Sequence, residues 1–127
     1  MVVSTFTPVS LEPPLVSICV QRTSETWPVL AGSRQHIGVS ILSTEQEREG
    51  RLLSIKHGDR FERIAWTATD EGAVLIDGAV EWLQCSVTES VVAGDHLIVL
   101  LGIEKVFIHV EMEPLVFHGS RFRRLEF

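Results

Sequence analysis

The chain reads as a mainly β protein with short helices, a small antiparallel barrel carrying a helical insertion. Three observations predict it. Apolar, β-branched runs dominate after Trp66, Gly-containing turns separate them, and helix signals are confined to the first half. At 127 residues the chain is expected to be one domain, long enough to bury roughly two-thirds of its unfolded surface.

Taken in order, Ser4 to Pro14 is a Ser/Thr-rich, non-helical stretch in which Pro8, Pro13 and Pro14 fix φ and remove amide donors. Leu15 to Gln21 is almost continuously apolar, the pattern of a strand covered on both faces. Ser24, Glu25 and Thr26 offer N-cap candidates for a short helix through Ala31, ended by Gly32; Pro28 fits only its first turn. Ile37 to Leu42 is a second buried-type strand. Ser43 and Gln46 have capping-box spacing for a polar helix to about Ser54, with Glu45, Glu47 and Glu49 favouring its N-terminal half.

Beyond it, Val74 to Ile76 and Val80 to Val92 flank Asp77-Gly78, a two-residue hairpin signal. Ala93-Gly94-Asp95 turns the chain into a long run, His96 to Val110, with Gly102 as a candidate bulge. No repeat or linker is visible.

Composition excludes several classes. Hydrophobic residues at 45% and charged residues at 22% are those of an ordinary globular chain. A net charge of -6 argues against nucleic-acid binding, and the basic group Arg121, Arg123 and Arg124 reads as a solvated strand end. Cys19 and Cys85 lie far apart with no Cys-x-x-Cys pair, so neither a disulfide framework nor a metal site is expected; buried thiols in a reduced compartment are. The start lacks a secretory pattern, and the apolar stretch Leu97 to Ile103 is far too short to span a bilayer, so a cytoplasmic protein without membrane contact is expected. Phosphate-loop, nucleophile-elbow, zincin and Gly-x-Gly-x-x-Gly motifs are absent.

Ser4-Thr-Phe-Thr-Pro-Val-Ser-Leu-Glu-Pro-Pro14 leading into a strand, followed far along by Gly94-Asp95-His96, resembles the flavin reductase family, the FMN-binding split barrels that serve as reductase components of two-component flavin-dependent monooxygenases. Gly58-Asp59-Arg60-Phe61 also resembles a family segment. The resemblance implies a split β-barrel in which FMN or FAD meets Ser4 and Thr5, with Cys19, Val20 and Gln21 contributing largely through backbone. Ser24, Glu25 and Thr26 would form a phosphate turn, and Lys56 is the nearby cation. His96, Phe117, His118, Gly119 and Ser120 would approach NADH or NADPH on the nicotinamide side. Hydride transfer between nicotinamide and flavin needs no protein acid or base, so no catalytic residue is assigned.

The plainer readings stand beside these: a simple turn at Pro13-Pro14, N-capping without a ligand at Ser24, a solvated Lys56, and an imidazole held structurally by Asp95. Against the family pattern, the usual N-terminal helix and first strands are lacking before Ser4, which would leave a barrel edge open. With the apolar run Leu97 to Ile103, that edge leads to the expectation of a homodimer. The expected activity is NAD(P)H-dependent reduction of free flavin for a partner monooxygenase. The alternative is a non-catalytic flavin-binding or degenerate barrel protein.

Overall fold

A computed structural model of the chain describes residues 1–3, 5–32, 36–55, 58–109, 114–118 and 121–124, with 115–118 and 121–124 as backbone. Its elements are β1 (Phe6–Leu11), β2 (Pro14–Gln21), α1 (Thr26–Gly32), β3 (Ile37–Ile41), α2 (Glu47–Leu53), β4 (Trp66–Ala68), β5 (Val74–Ile76), β6 (Glu81–Ala93), β7 (His96–Ile108), β8 (Leu115–His118) and β9 (Arg121–Arg124). A five-stranded antiparallel sheet runs β1-β2-β7-β6-β3, beside two-stranded pairs β4-β5 and β8-β9.

Period-two burial decides which face of the main sheet is the core. Val16, Ile18 and Val20 of β2 stand opposite Leu101, Val99 and Leu97 of β7, and all but Leu97 are buried. Leu15, Ser17 and Cys19 are only half-buried, so β2 is covered fully on one face, not on both as its sequence suggested. The apolar run Leu97 to Ile103 belongs to the central strand β7, with Val99 and Leu101 at 0% exposure. Leu97, Leu100 and Ile103 are half-buried and Ile98 is exposed on the outer face. α1 lays Trp27 against this core.

The Pro-rich start is itself a strand: β1 pairs with β2 as a hairpin closed through a cis Glu12–Pro13 peptide. Pro8 lies within it, and proline is tolerated on an edge strand, where half the amides face away from the ladder. β3, expected to be buried, is half-buried throughout at the opposite edge.

One turn differs from expectation. Asp77-Gly78 does turn the chain, with Gly78 at φ 84°, but β5 pairs with β4 and β6 with β3, so no hairpin forms there. The reason lies at Gly38 in β3: a Cβ there would stand 1.9 Å from the Val74 carbonyl oxygen. Glycine lets β5 cross directly over β3, and the crossing takes β5 into another layer. The hairpin falls instead at Gly94-Asp95, with Ala93 paired to His96 and Gly94 at φ 64°.

Nor is Gly102 a bulge. It pairs in register with Leu15 and Ser86, while Thr88 on β6 and Glu104 on β7 are the unpaired residues either side of it. α2 likewise begins at Glu47, later than the Ser43–Gln46 spacing suggested. Only half of the capping box forms: Gln46 Oε1 accepts the Ser43 amide at 3.0 Å, and Gln46 Nε2 donates to the Asp77 carbonyl at 2.7 Å.

Candidate functional site

At one end of the central sheet, β2 finishes and β7 begins at the pair Gln21–His96. Beyond this pair the Arg22 amide donates to the Asp95 carbonyl at 3.0 Å, and Arg22 Nη1 donates to the Gly94 carbonyl at 3.3 Å. The Ser24 amide closes the next turn onto the Gln21 carbonyl at 3.0 Å, and Ser24 Oγ accepts the Trp27 amide at 3.1 Å. Trp27 is 5% exposed, so the turn is bolted to the core at its far end. From the other side of β2, Thr5 Oγ1 accepts the Cys19 amide at 3.2 Å. Thr5, Cys19 to Gln21, Ser24 to Thr26, and Asp95 with His96 thus gather at one end of one sheet.

The same end has an apolar floor. Residues directly opposite across a ladder share a face, so Cys19, Ile98 and Val91 line one outer strip, with Ile98 38% and Val91 47% exposed. Around it Gln21, Arg22, Thr23, Glu25 and Asp95 are exposed and polar. His96 Nδ1 lies 2.7 Å from Asp95 Oδ1, and the hydrogen bond from the imidazole, followed by its charge, holds the Asp95 carboxyl below the usual carboxylate range. The pair orients the ring through Nδ1 and leaves Nε2 for another partner. Ser24 Oγ is occupied as an acceptor and still has its proton to donate.

The expected residues are not all placed alike. Val20 points into the core at 1% exposure, so only its backbone is available. Glu25 is exposed just before α1, and Thr26 begins it. Ser4, Lys56, Gly119 and Ser120 lie outside the described residues, and Phe117 and His118 are described only as backbone of β8. Arg22, Ile98 and Val91 were not anticipated. Arg22 directly follows Gln21 in the turn already singled out, so its position was the available signal; Ile98 and Val91 become visible only with the strand register.

Other features carry less. A cavity of about 190 Å³ near the end of α2 mixes Arg60 and Arg63 with Asp59 and Glu62, and none of the residues lining it was a sequence-expected site residue. Burial pushes the Cys85 thiol up to about 11, which makes it an inert core residue. Among the described residues no group of three or more His, Cys, Asp and Glu could hold a metal ion, and no helix is long and apolar enough to cross a membrane.

Comparison with known proteins places this geometry. The family model for the flavin reductase like domain matches residues 1–126. A flavin reductase of Pseudomonas putida is 32% identical over 122 residues, covering 96% of this chain and 71% of that protein. An NADH-dependent FAD reductase of Streptomyces globisporus is 35% identical, covering 98% and 70%. Among solved structures, an NADH:FAD oxidoreductase of Streptomyces globisporus in complex with NAD and FAD fragments superposes with a TM-score of 0.90 at 34% identity, covering 99% of this chain and 76% of that one. The flavin reductase component of a bacterial two-component tryptophan halogenase gives 0.83 at 30% identity, with coverages of 98% and 81%. With its sequence matched end to end and its antiparallel sheets superposing on the split barrels of these reductases, the chain belongs to the flavin reductase family.

Proposed function

We propose that this protein is an NAD(P)H-dependent flavin reductase that binds FMN or FAD at the Gln21–His96 end of the sheet and hands reduced flavin to a partner monooxygenase. One observation carries the reading beyond family membership. The segments expected to meet flavin and the turn expected to meet the reductant, 72 residues apart between Arg22 and Gly94, are hydrogen-bonded to each other.

The residues present fit a flavin nucleotide. The strip of Cys19, Ile98 and Val91 offers a flat apolar surface, the Thr5 and Ser24 hydroxyls can donate at the ring edge and phosphate, and the Arg22 guanidinium is a cation for the anionic part. Ser4 and Lys56 would add to these donors, with Gln21, Glu25 and Thr26 closing the rim. Bound flavin supplies the two-electron chemistry. The chain's own work is to bind, to orient and to keep the ring face open to a nicotinamide. On that side Asp95 fixes the His96 ring, whose Nε2 can hydrogen-bond a carboxamide or phosphate, and Phe117, His118, Gly119 and Ser120 complete the reductant side. No side chain is assigned a proton-transfer role.

A homodimer in the cytoplasm is part of this reading; the dimer is supported by β1 and the Ser86–Ala93 half of β6, which present unpaired strand edges among the described residues. Light scattering at micromolar concentration should report a dimer, and a monodisperse monomer would remove that part. The function is tested by steady-state NADH or NADPH oxidation with FMN or FAD in excess, alongside melting curves. Turnover together with a higher melting temperature in flavin is expected, because a ligand of the native state stabilises it. Flavin binding without turnover would favour a non-catalytic flavin-binding protein; identical melting curves and no turnover would overturn the reductase reading and favour a degenerate barrel.

A further inference from the structure

The turn after β2 meets the β6–β7 hairpin tip through one residue that makes two bonds of different kinds. The amide of Arg22 reaches the Asp95 carbonyl, a contact that any non-proline residue could make. Its guanidinium reaches the Gly94 carbonyl at 3.3 Å, a contact that belongs to this side chain. Gly94 is the residue at φ 64° on which the hairpin reverses, and Asp95, the next residue, holds the His96 ring. Gly94 has nothing within 4 Å of where a Cβ would sit, so no group packs against that side of the tip. Asp95 is 95% exposed, so its grip on His96 is no better fixed than the backbone that carries it. Among the described residues Arg22 forms no ion pair; its charge is directed at a carbonyl.

We propose that Arg22 is a positioning residue: its guanidinium clamps the Gly94 carbonyl and so holds the reversal in the conformation from which Asp95 orients His96. One side chain thereby couples the segment on the flavin side to the imidazole on the reductant side. A guanidinium suits this task, since its fork of donors stays charged at every working pH and one engaged N–H leaves four others free for an anionic ligand. The kinetic part of this inference rests on the reductase reading given above; the conformational part does not.

Arg22→Ala and Arg22→Lys, each in the full chain, provide the test. By nuclear magnetic resonance, Arg22→Ala should speed hydrogen exchange at the His96 amide several-fold and shift the imidazole ¹⁵N signals toward a mixture of tautomers. Exchange at Val99 and Leu101 should stay as in the parent protein. Arg22→Lys, which keeps a charged donor, should recover part of both effects. In steady state the KM for the nicotinamide should rise several-fold with kcat little changed, and adding His96→Ala to Arg22→Ala should cost less than the two separate effects multiplied. Unchanged exchange and tautomer signals in Arg22→Ala would overturn the clamp whatever the kinetics, as would faster exchange spread evenly over β7. If the signals move as expected while the parent protein oxidises no NAD(P)H, the clamp stands and the reductase reading falls.

Discussion

Asp77-Gly78 and Gly94-Asp95 each pair an aspartate with a glycine at positive φ, and they do opposite things. At Asp77-Gly78 the Asp77 carbonyl, carboxylate and amide are each tied to another segment of the fold, although the residue itself is exposed. The Asp77 carbonyl takes Gln46 Nε2 at 2.7 Å, its carboxylate takes Thr67 Oγ1 at 2.7 Å, and its amide donates to the Ala65 carbonyl at 3.0 Å. At Gly94-Asp95 the carbonyls are held by Arg22, but the Asp95 carboxylate and the His96 ring face solvent with bonding capacity left over. The first turn is a joint between layers. The second is an outward-facing end, and the difference teaches that local turn chemistry does not mark function; surplus polar capacity at a fixed position does.

The largest effect that would break the contrast is loss of the anchor under the second turn. Trp27→Ala should destabilise the protein by about 3–5 kcal/mol, the usual cost of emptying an aromatic site in a core. Urea unfolding measures it; a loss below about 1 kcal/mol would mean that the turn is not bolted to the core. Gln46→Ala comes next. It orphans the Ser43 amide and the Asp77 carbonyl, groups that one 7% exposed side chain now satisfies, and should cost about 2–4 kcal/mol while leaving the nicotinamide KM of the folded enzyme unchanged. A changed KM would show that the joint reaches the site.

How much of this was legible depended on which forces were local. The strands β2, β6 and β7, the helix at Thr26 and the Gly94-Asp95 turn follow from apolar periodicity and turn residues, so the sequence shows them. The family resemblance singles out the segments holding Thr5, Cys19, Gln21, Ser24 and His96, and the structure brings them to one end of the sheet. What stayed hidden depends on register and layers. Ile98 and Val91 join Cys19 only through the pairing of three strands, and the Asp77-Gly78 misreading follows from Gly38, whose close approach to Val74 no local pattern announces. Arg22 did not stand out in the sequence because charge alone does not say which cation the turn places at the hairpin tip.

A subtler effect concerns pH. Because the Cys85 thiol is raised from its ordinary 9.0 to about 11 by burial, the native state keeps its proton where the unfolded chain has lost it. The native state therefore binds more protons between those values, and stability should be complete below about pH 9 and fall progressively up to about pH 11. Cys85→Ala should remove that component of the alkaline loss. An unaltered alkaline profile in the variant would contradict it.

The smallest expected effect sharpens the comparison most. Asp95→Ala should leave the urea midpoint where it is, since its partner is a solvent-exposed imidazole, yet raise the nicotinamide KM a few-fold because the ring loses its orientation. An unchanged KM would return the Asp95–His96 pair to a purely local role.

The central claim, that the Gln21–His96 end of the sheet is the flavin site and the Asp77-Gly78 joint is not, is tested most directly by titrating the ¹⁵N-labelled protein with FMN and then FAD while following backbone amide signals. The account predicts shifts concentrated at Thr5, Cys19 to Thr26, and Ile98, with those from Trp66 to Gly78 unmoved. Shifts centred on Trp66 to Gly78, or none with either flavin at saturating concentration, would contradict it.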